Sequence, residues 1–399
     1  MKKWIALMLC LLLAVGCFTG CDKEESTEVT DETSETTEIV ETEEEESDVA
    51  AEAQTLTVYT DLTEGSPDYA AYMEKVAAFE EATGAAVSVS HYGENLSVVL
   101  DNAIADGSVD VFSVENLSEL RMRMGDALNL STYADDYDAS YPILMEQIKA
   151  TAVDGALFGL PTDANVTAMW YNKAAFEKAG VKDVPKNEKE FEALCQTLAD
   201  AGFRPIALDS AYVHANFGIH MERALGSAEL SSLVQNGGWS DNKAAINACQ
   251  TLIDWVADGY FDENAPVDWP FSQLGLADRT AMIYADESTL AIVEEMIGTD
   301  IEWGCFAYPG ESNSVLTDCG ALCINAVTLS PQLAWEFISF MAEPAVDAEA
   351  AEILTDADSI CDAASIIKSG ADLTEVIENI YRGTYTDGVE AAAALDALY

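Results

Sequence analysis

Residues 54–399 predict an α/β fold in which strands are covered by helices. Strand-length apolar runs alternate there with longer segments whose apolar residues recur at helical spacing, and cap residues stand where those segments begin and end. The order strand, helix, strand, helix, strand is the pattern of crossover connections, which place helices on the faces of a parallel sheet.

The first strand is Leu56–Tyr59, an apolar run. Ser66 and Pro67 then supply an N-cap and a first-turn residue whose φ is already helical. Tyr72, Met73, Val76 and Phe79 give the following helix one apolar face, and Gly84 stands where it ends. Ala86–Ser90 alternates as a second strand. Leu96, Val99, Leu100, Ala103 and Ile104 form the stripe of a second helix, and Val109–Val114 is a third strand. Ligands of such sheets sit beyond the carboxyl ends of the strands, which selects Thr60 and Asp61, Tyr92–Asn95, and Glu115 with Asn116. Further on, Asn187 and Glu190 have the spacing of a capping box for a helix that Gly202 ends, and Pro205–Leu208 reads as a strand.

The first 53 residues differ in character. Lys2 and Lys3 precede an apolar run from Trp4 to Phe18, the build of a secretory signal. At about 15 residues the run is short of the roughly 20 that a membrane-spanning helix needs. Asp22–Ala53 holds 15 acidic residues against Lys23 alone and almost no large apolar side chain. Burial there cannot offset the entropy of ordering, so a disordered stalk extended by self-repulsion is expected.

Residues 54–399 number 346, enough chain for two domains. They carry 15 basic and 57 acidic residues, a net charge of −42, which repels phosphate backbones and anionic lipid and excludes nucleic acid as a partner. The same excess makes Asp/Glu pairs common by chance, so a carboxylate pair is very weak evidence for glycoside hydrolysis. Neither GxGxxG nor GxxxxGK(S/T) occurs, nor HExxH, GxSxG or CxxC, and no cofactor or metal is expected. His91, His214 and His220 are expected as surface or cleft hydrogen-bonding residues; the last two, six apart, would point about 120° from one another on a helix. Six cysteines follow the leader: Cys195, Cys249, Cys305, Cys319, Cys323 and Cys361. Cys195 lies beside Phe191, Leu194 and Leu198, and Cys249 beside Ala245, Leu252 and Ile253, so both read as buried thiols on helix faces. Cys319 and Cys323 fall in one apparent strand, about 13 Å apart and too far to bridge.

Residues 154–180 carry a family resemblance. Asp154-Gly155, Phe158-Gly159-Leu160-Pro161, Tyr171-Asn172-Lys173, Phe176 and Ala179-Gly180 resemble the central signature of extracellular solute-binding proteins of ABC importers, the group that contains maltodextrin-binding proteins. Phe79 to Gly84, Asp110-Val111-Phe112, Pro185 to Phe191, Thr280 to Ile283 and Tyr308-Pro309-Gly310 follow in that family's order. The resemblance covers residues 55–345 and, more loosely, the helical tail. Phe18-Thr19-Gly20-Cys21 resembles a lipobox, with Cys21 the acylated residue and Cys17, after Ala14-Val15-Gly16, the competing one.

The resemblance implies a two-lobed periplasmic-binding-protein-like fold of type II, each lobe a sheet flanked by helices, with the ligand cleft between them. Lobe one would be residues 54–163 with 308–343 and lobe two 164–307 with 344–399, after a signal peptide at 1–20 and a lipid anchor and stalk at 21–53. Pro161–Val166 and Trp303–Pro309 would cross between them. No catalysis is implied. A hinge closes on a sugar, in the first instance an oligosaccharide, and the closed form docks on permease subunits at the outer face of the cell membrane. The protein would be a monomer that touches the membrane through its lipid alone.

Sugar-binding members set aromatic faces against sugar rings and surround hydroxyls with Asp, Glu and Asn. The positions so matched are Asp61, Glu115, Asp163, Asn165, Asp209, Tyr212 and Trp269, the last 13 residues before Met282 where the maltodextrin group has an aromatic stacker. Tyr92 joins them by its place after the second strand. After Ala281-Met282 the family usually continues into Gly-Ser/Pro-Trp, whereas Ala285-Asp286-Glu287-Ser288 stands here. A stacking surface is lost and a carboxylate gained, so Glu287 enters the set and a smaller or more polar ligand is implied. An exported glycoside hydrolase and a sensory or structural lipoprotein of the same fold are the readings left open.

Overall fold

A computed structural model of the chain describes residues 55–208, 212–261, 275–310, 312–361 and 373–399. The expected signal, stalk and lipidation cysteines, and with them Asp209 and Trp269, lie outside the described residues.

The chain follows the expected alternation through β1 (Thr55–Thr60), α1 (Pro67–Thr83), β2 (Ala86–His91), α2 (Leu96–Asp106) and β3 (Val111–Val114). Caps set the boundaries: Ser66 Oγ accepts from Tyr69 N at 3.1 Å, and α1 ends where Gly84, at φ 75°, turns its N–H to Glu80 O. Then come α3 (Leu117–Arg123), α4 (Pro142–Ala150), β4 (Leu160–Pro161) and the long β5 (Asp163–Asn172). They are followed by α5 (Lys173–Ala179), α6 (Glu188–Asp200), β6 (Arg204–Ala207), α7 (Val213–Leu225), α8 (Ser227–Asn236) and α9 (Lys243–Ala257). β7 (Thr280–Ala285), α10 (Glu287–Ile297), β8 (Trp303–Phe306), β9 (Ser314–Asp318), β10 (Ala321–Ile324) and α11 (Pro331–Met341) come next. β11 (Ala345–Val346), α12 (Ala351–Thr355), β12 (Ser359–Ile360), α13 (Thr374–Tyr381) and α14 (Gly388–Asp396) complete the order.

The strands form two sheets of mixed direction. In the first, β2-β1-β3-β10-β4, β1 runs parallel to β2 and β3, and β10 is antiparallel to both its neighbours. Apolar residues of α1, α2 and α11 pack with its strands in one core, where Phe79 meets Phe337 edge to face at 5.2 Å between ring centroids. In the second, β12-β9-β5-β7-β6, the strands β8 and β11 also pair with β5. Alternation along β5 divides two cores, because successive side chains leave a strand on opposite faces. Met169 packs with Phe191, Phe217 and Trp255, whereas Val166, Ala168 and Trp170 pack with Ile283, Val293 and Leu354.

Among the described residues three passages join the sheets: Pro161 to Asp163 between β4 and β5, Asp318 to Ala321 between β9 and β10, and Ala342 to Ala345 between α11 and β11. The second of these corrects the expected crossing at Trp303–Pro309 and with it the expected return to the first lobe at residue 308. β8 pairs with β5, Tyr308 lies in the core of the second sheet, and β9 is bound to β5 at Asn165–Thr167. The chain therefore stays in that sheet until Asp318.

His220 needs a second correction. Expected at a surface or in a cleft, it is 3% exposed on α7, donates its Nε2–H to Ala248 O at 3.0 Å and sets its ring against Trp255. The six described cysteines are free thiols. Cys195 and Cys249 are buried on α6 and α9 as expected, and burial pushes both thiols well above their ordinary pKa. Among the described residues no helix is long and apolar enough to cross a membrane.

Candidate functional site

The passages between the sheets bring together the carboxyl ends of β3 and β9, the start of β5 and the start of α10. Two cavities open there. One, of about 690 Å3, is bordered by α3, α4, β5, β9 and β12; the other, of about 650 Å3, is bordered by Glu115, Asp163, Glu287, Asp318 and Asp347. Asn165 and Asp318 border both. Each has the size of a small-molecule site.

Backbone hydrogen bonds hold these side chains in place. Asn116 Oδ1, at the N-cap of α3, accepts from Glu119 N at 2.9 Å while Glu119 Oε2 reaches back to accept from Glu115 N at 3.0 Å, one residue before the cap, a reciprocal pair that fixes the turn presenting Glu115. Asp318 Oδ1 accepts from Cys319 N at 2.9 Å and from Leu117 N at 3.1 Å, joining β9 to the start of α3. Asp163 accepts from Gly320 N, joining two of the passages. Glu287 Oε2 accepts from Val166 N of β5 at 2.8 Å, and its Oε1 is buried without a hydrogen-bond partner.

Like charges meet in this arrangement. Burial raises the Glu115 carboxyl above its ordinary pKa, and repulsion from Asp61, Glu119 and Glu94 adds to the shift. Burial raises Asp163 in the same way, more than the Gly320 hydrogen bond offsets, with Asp61 and Asp318 adding repulsion. Asp163 is nonetheless exposed to solvent and borders the smaller cavity. Burial pushes Glu287 up to about 7, with Asp347 and Asp286 contributing.

Glu287→Ala is expected to destabilise the fold by about 1–2 kcal/mol, because Val166 N–H loses its acceptor; Glu287→Gln keeps one. A carboxyl whose folded pKa lies above its unfolded one stabilises the fold below the unfolded value and loses that contribution as pH rises through about 7. Wild type should therefore lose stability relative to Glu287→Gln between pH 5 and pH 8. Urea midpoints of the two proteins check this, and a constant difference would refute it.

The model of a family described as bacterial extracellular solute-binding protein matches residues 74–360. The chain belongs to that family. Binding proteins of Brucella abortus and Brucella suis share 46% identity with this solute-binding protein over 46 residues, 12% of its length, and the match spans 11% of the length of those relatives. Among solved structures, RafE from Streptococcus pneumoniae aligns with a TM-score of 0.66 at 18% identity, over 87% of this chain and 97% of that one. A sugar transporter of Rhizobium etli in an open conformation gives 0.63 at 14%, over 87% and 100%. The bacterial solute receptor AcbH gives 0.64 at 13%, over 86% and 97%. The likeness establishes the expected type II periplasmic-binding-protein-like fold, two mixed sheets flanked by helices.

Of the residues that the sequence of this solute-binding protein singles out, Glu115, Asp163, Asn165 and Glu287 meet at the smaller cavity. Asp61 borders neither cavity: its carboxylate accepts from Ser113 Oγ at 2.6 Å, and only its charge reaches Glu115 and Asp163. Tyr92 packs on Tyr59 with ring centroids 4.9 Å apart. The Tyr212 hydroxyl is bonded to Thr289 Oγ1 at 2.5 Å. Sequence reasoning missed Asp318, Asp347 and Gln147. The first two stand at turns after strands, where Asp is common for its bonds to backbone. Gln147 sits on the inward face of α4, at positions that periodicity assigns to a core.

Proposed function

We propose that this solute-binding protein is the extracytoplasmic receptor of an ABC importer for a sugar, in the first instance an oligosaccharide. The observation that carries the reading is the pair of cavities, about 690 and 650 Å3, which share Asn165 and Asp318 at the passages between the sheets. Their borders are rich in carboxylate, amide and hydroxyl groups, the partners that a polyhydroxylated solute requires. Proteins of the same fold support it: RafE has been solved in complex with raffinose, and AcbH has an exclusive preference for β-D-galactopyranose.

In this reading β1–β4 and β10, with their helices, form one lobe, and the sheet built on β5 forms the other. The lobes close on the sugar by bending at the three passages, and the closed form docks on the permease. A lipid on Cys21, or on Cys17, holds the monomer at the outer face of the cell membrane. The sugar leaves unchanged.

Thermal unfolding of the purified chain against mono- and oligosaccharides and amino acids tests this. A sugar at 100 times its Kd stabilises the fold by about 2.7 kcal/mol. A raised midpoint, with intact sugar recovered, is the expected result. A response confined to amino acids would overturn the sugar reading, and consumption of the sugar would replace the receptor with a hydrolase.

A further inference from the structure

Among the described residues that line the cleft, carboxylates far outnumber cations. Glu115, Asp163, Glu287, Asp318 and Asp347 border the smaller cavity, and its described lining residues include no Lys, no Arg and no aromatic ring. The larger cavity adds Glu146, Asp286 and Asp358 against one described cation, Arg121. Glu146 already has a partner in Lys149 at 2.8 Å. Among the described residues no cluster is built to hold a metal ion that would neutralise the rest.

A second, independent feature points to a missing donor. Gln147, 8% exposed on α4 at the larger cavity, donates its Nε2–H to Thr317 O at 2.6 Å and leaves its Oε1 buried with no partner. A buried amide oxygen is satisfied only by a hydroxyl or an N–H.

Closure expels water from such a site and lowers its effective dielectric, which strengthens repulsion among carboxylates that remain unpaired. A neutral sugar satisfies acceptors but leaves the charge standing. An ammonium group does both, with three donors and a positive charge.

Taking the sugar-receptor reading as its ground, we propose that the solute is an amino-sugar oligomer. Its protonated amine sits among Glu115, Asp163, Asp318 and Asp347, and its hydroxyls reach past Asn165 toward Gln147.

Calorimetry of the purified full chain at slightly acidic pH, with β-1,4-linked trimers of glucosamine, N-acetylglucosamine and glucose and with spermidine, tests the proposal. The glucosamine trimer is expected to bind one to one and about tenfold or more tighter than either neutral trimer, an advantage that shrinks as salt is raised from about 20 to about 300 mM. Asp163→Asn and Asp347→Asn should remove most of that preference, and Glu336→Gln, on the exposed side of α11, should leave it intact. A glucose trimer that binds as tightly as the amine overturns the proposal and leaves the sugar receptor standing. Binding of spermidine with no trimer bound overturns the sugar receptor itself. Equal losses in Glu336→Gln and Asp163→Asn would trace the attraction to the whole acidic surface and overturn the site, as would binding of none of the four probes.

Discussion

Gly320→Val is expected to lower stability by about 2–3 kcal/mol and solute affinity by about tenfold or more. Gly320 lies in the passage between β9 and β10, where a Cβ would fall 2.9 Å from the carbonyl oxygen of Val114, 3.0 Å from Thr162 Oγ1 and 3.2 Å from Asp163 Oδ1. The first of these atoms is backbone at the end of β3, so room can be made only by moving the sheet or the passage. Either movement separates Asp163 from Gly320 N and shifts Asp318 relative to Glu115, the carboxylates that border the cavity. Gly125→Val serves as the control, since a Cβ there meets nothing within 4 Å. Unfolding midpoints and titrations with a sugar identified as ligand check both parts. A Gly320→Val protein as stable and as tight-binding as wild type would show that the passages are free to spread, against the packing described above.

The second large effect is acid sensitivity through His220. Burial holds its imidazole down to about 4, against an ordinary value near 6.5, and the bond to Ala248 O recovers only part of the shift. For a base whose folded pKa is depressed, the unfolded chain takes up the proton first. Stability is unaffected above about 6.5, falls as pH drops from there to about 4, and then levels off. At pH 4.5 the loss from this one residue is about 2.5 kcal/mol. His220→Gln keeps a donor for Ala248 O but has no proton to gain. Acidification also relieves repulsion in a chain of net charge −54, so the informative quantity is the difference between the two proteins. Urea titrations at pH 7 and pH 4.5 should show the wild type losing ground to the variant by about this amount. Parallel declines would mean that His220 finds a counter-charge or water when protonated.

The candidate site was legible in part. Glu115 and Asp163 could be named because they follow a strand or a recognisable motif, and Glu287 because it departs from a family pattern. Asp61 and Tyr212 could be named for the same reasons, yet Asp61 is bonded to Ser113 and Tyr212 to Thr289. Which hydroxyl a side chain meets depends on a neighbour 52 residues away in one case and 77 in the other, and no local pattern encodes that. Gln147 was illegible because a polar residue on an apolar helix face reads as an interruption until the carbonyl of Thr317 is seen beside it.

Fold class and element boundaries came from short-range physics. Ser66 and Gly84 bound α1, and Asn187 caps α6 as expected, its Oδ1 accepting from Glu190 N at 3.0 Å, while the return bond of Glu190 Oε2 goes to Lys186 N at 2.9 Å, one residue before the cap. Caps and periodicity act within a turn or two of helix, so the sequence by itself determined them. Only the tertiary structure decided which sheet each late strand joins. β9 and β10 are separated by two residues and are both largely buried, yet β9 pairs with β5 and β10 with β3. Buried strands present similar apolar patterns to any partner, and the choice is made by ladders and side-chain bonds spanning long stretches of chain. Asp318 and Leu117, 201 residues apart, form one such bond, and it helps to build the cleft.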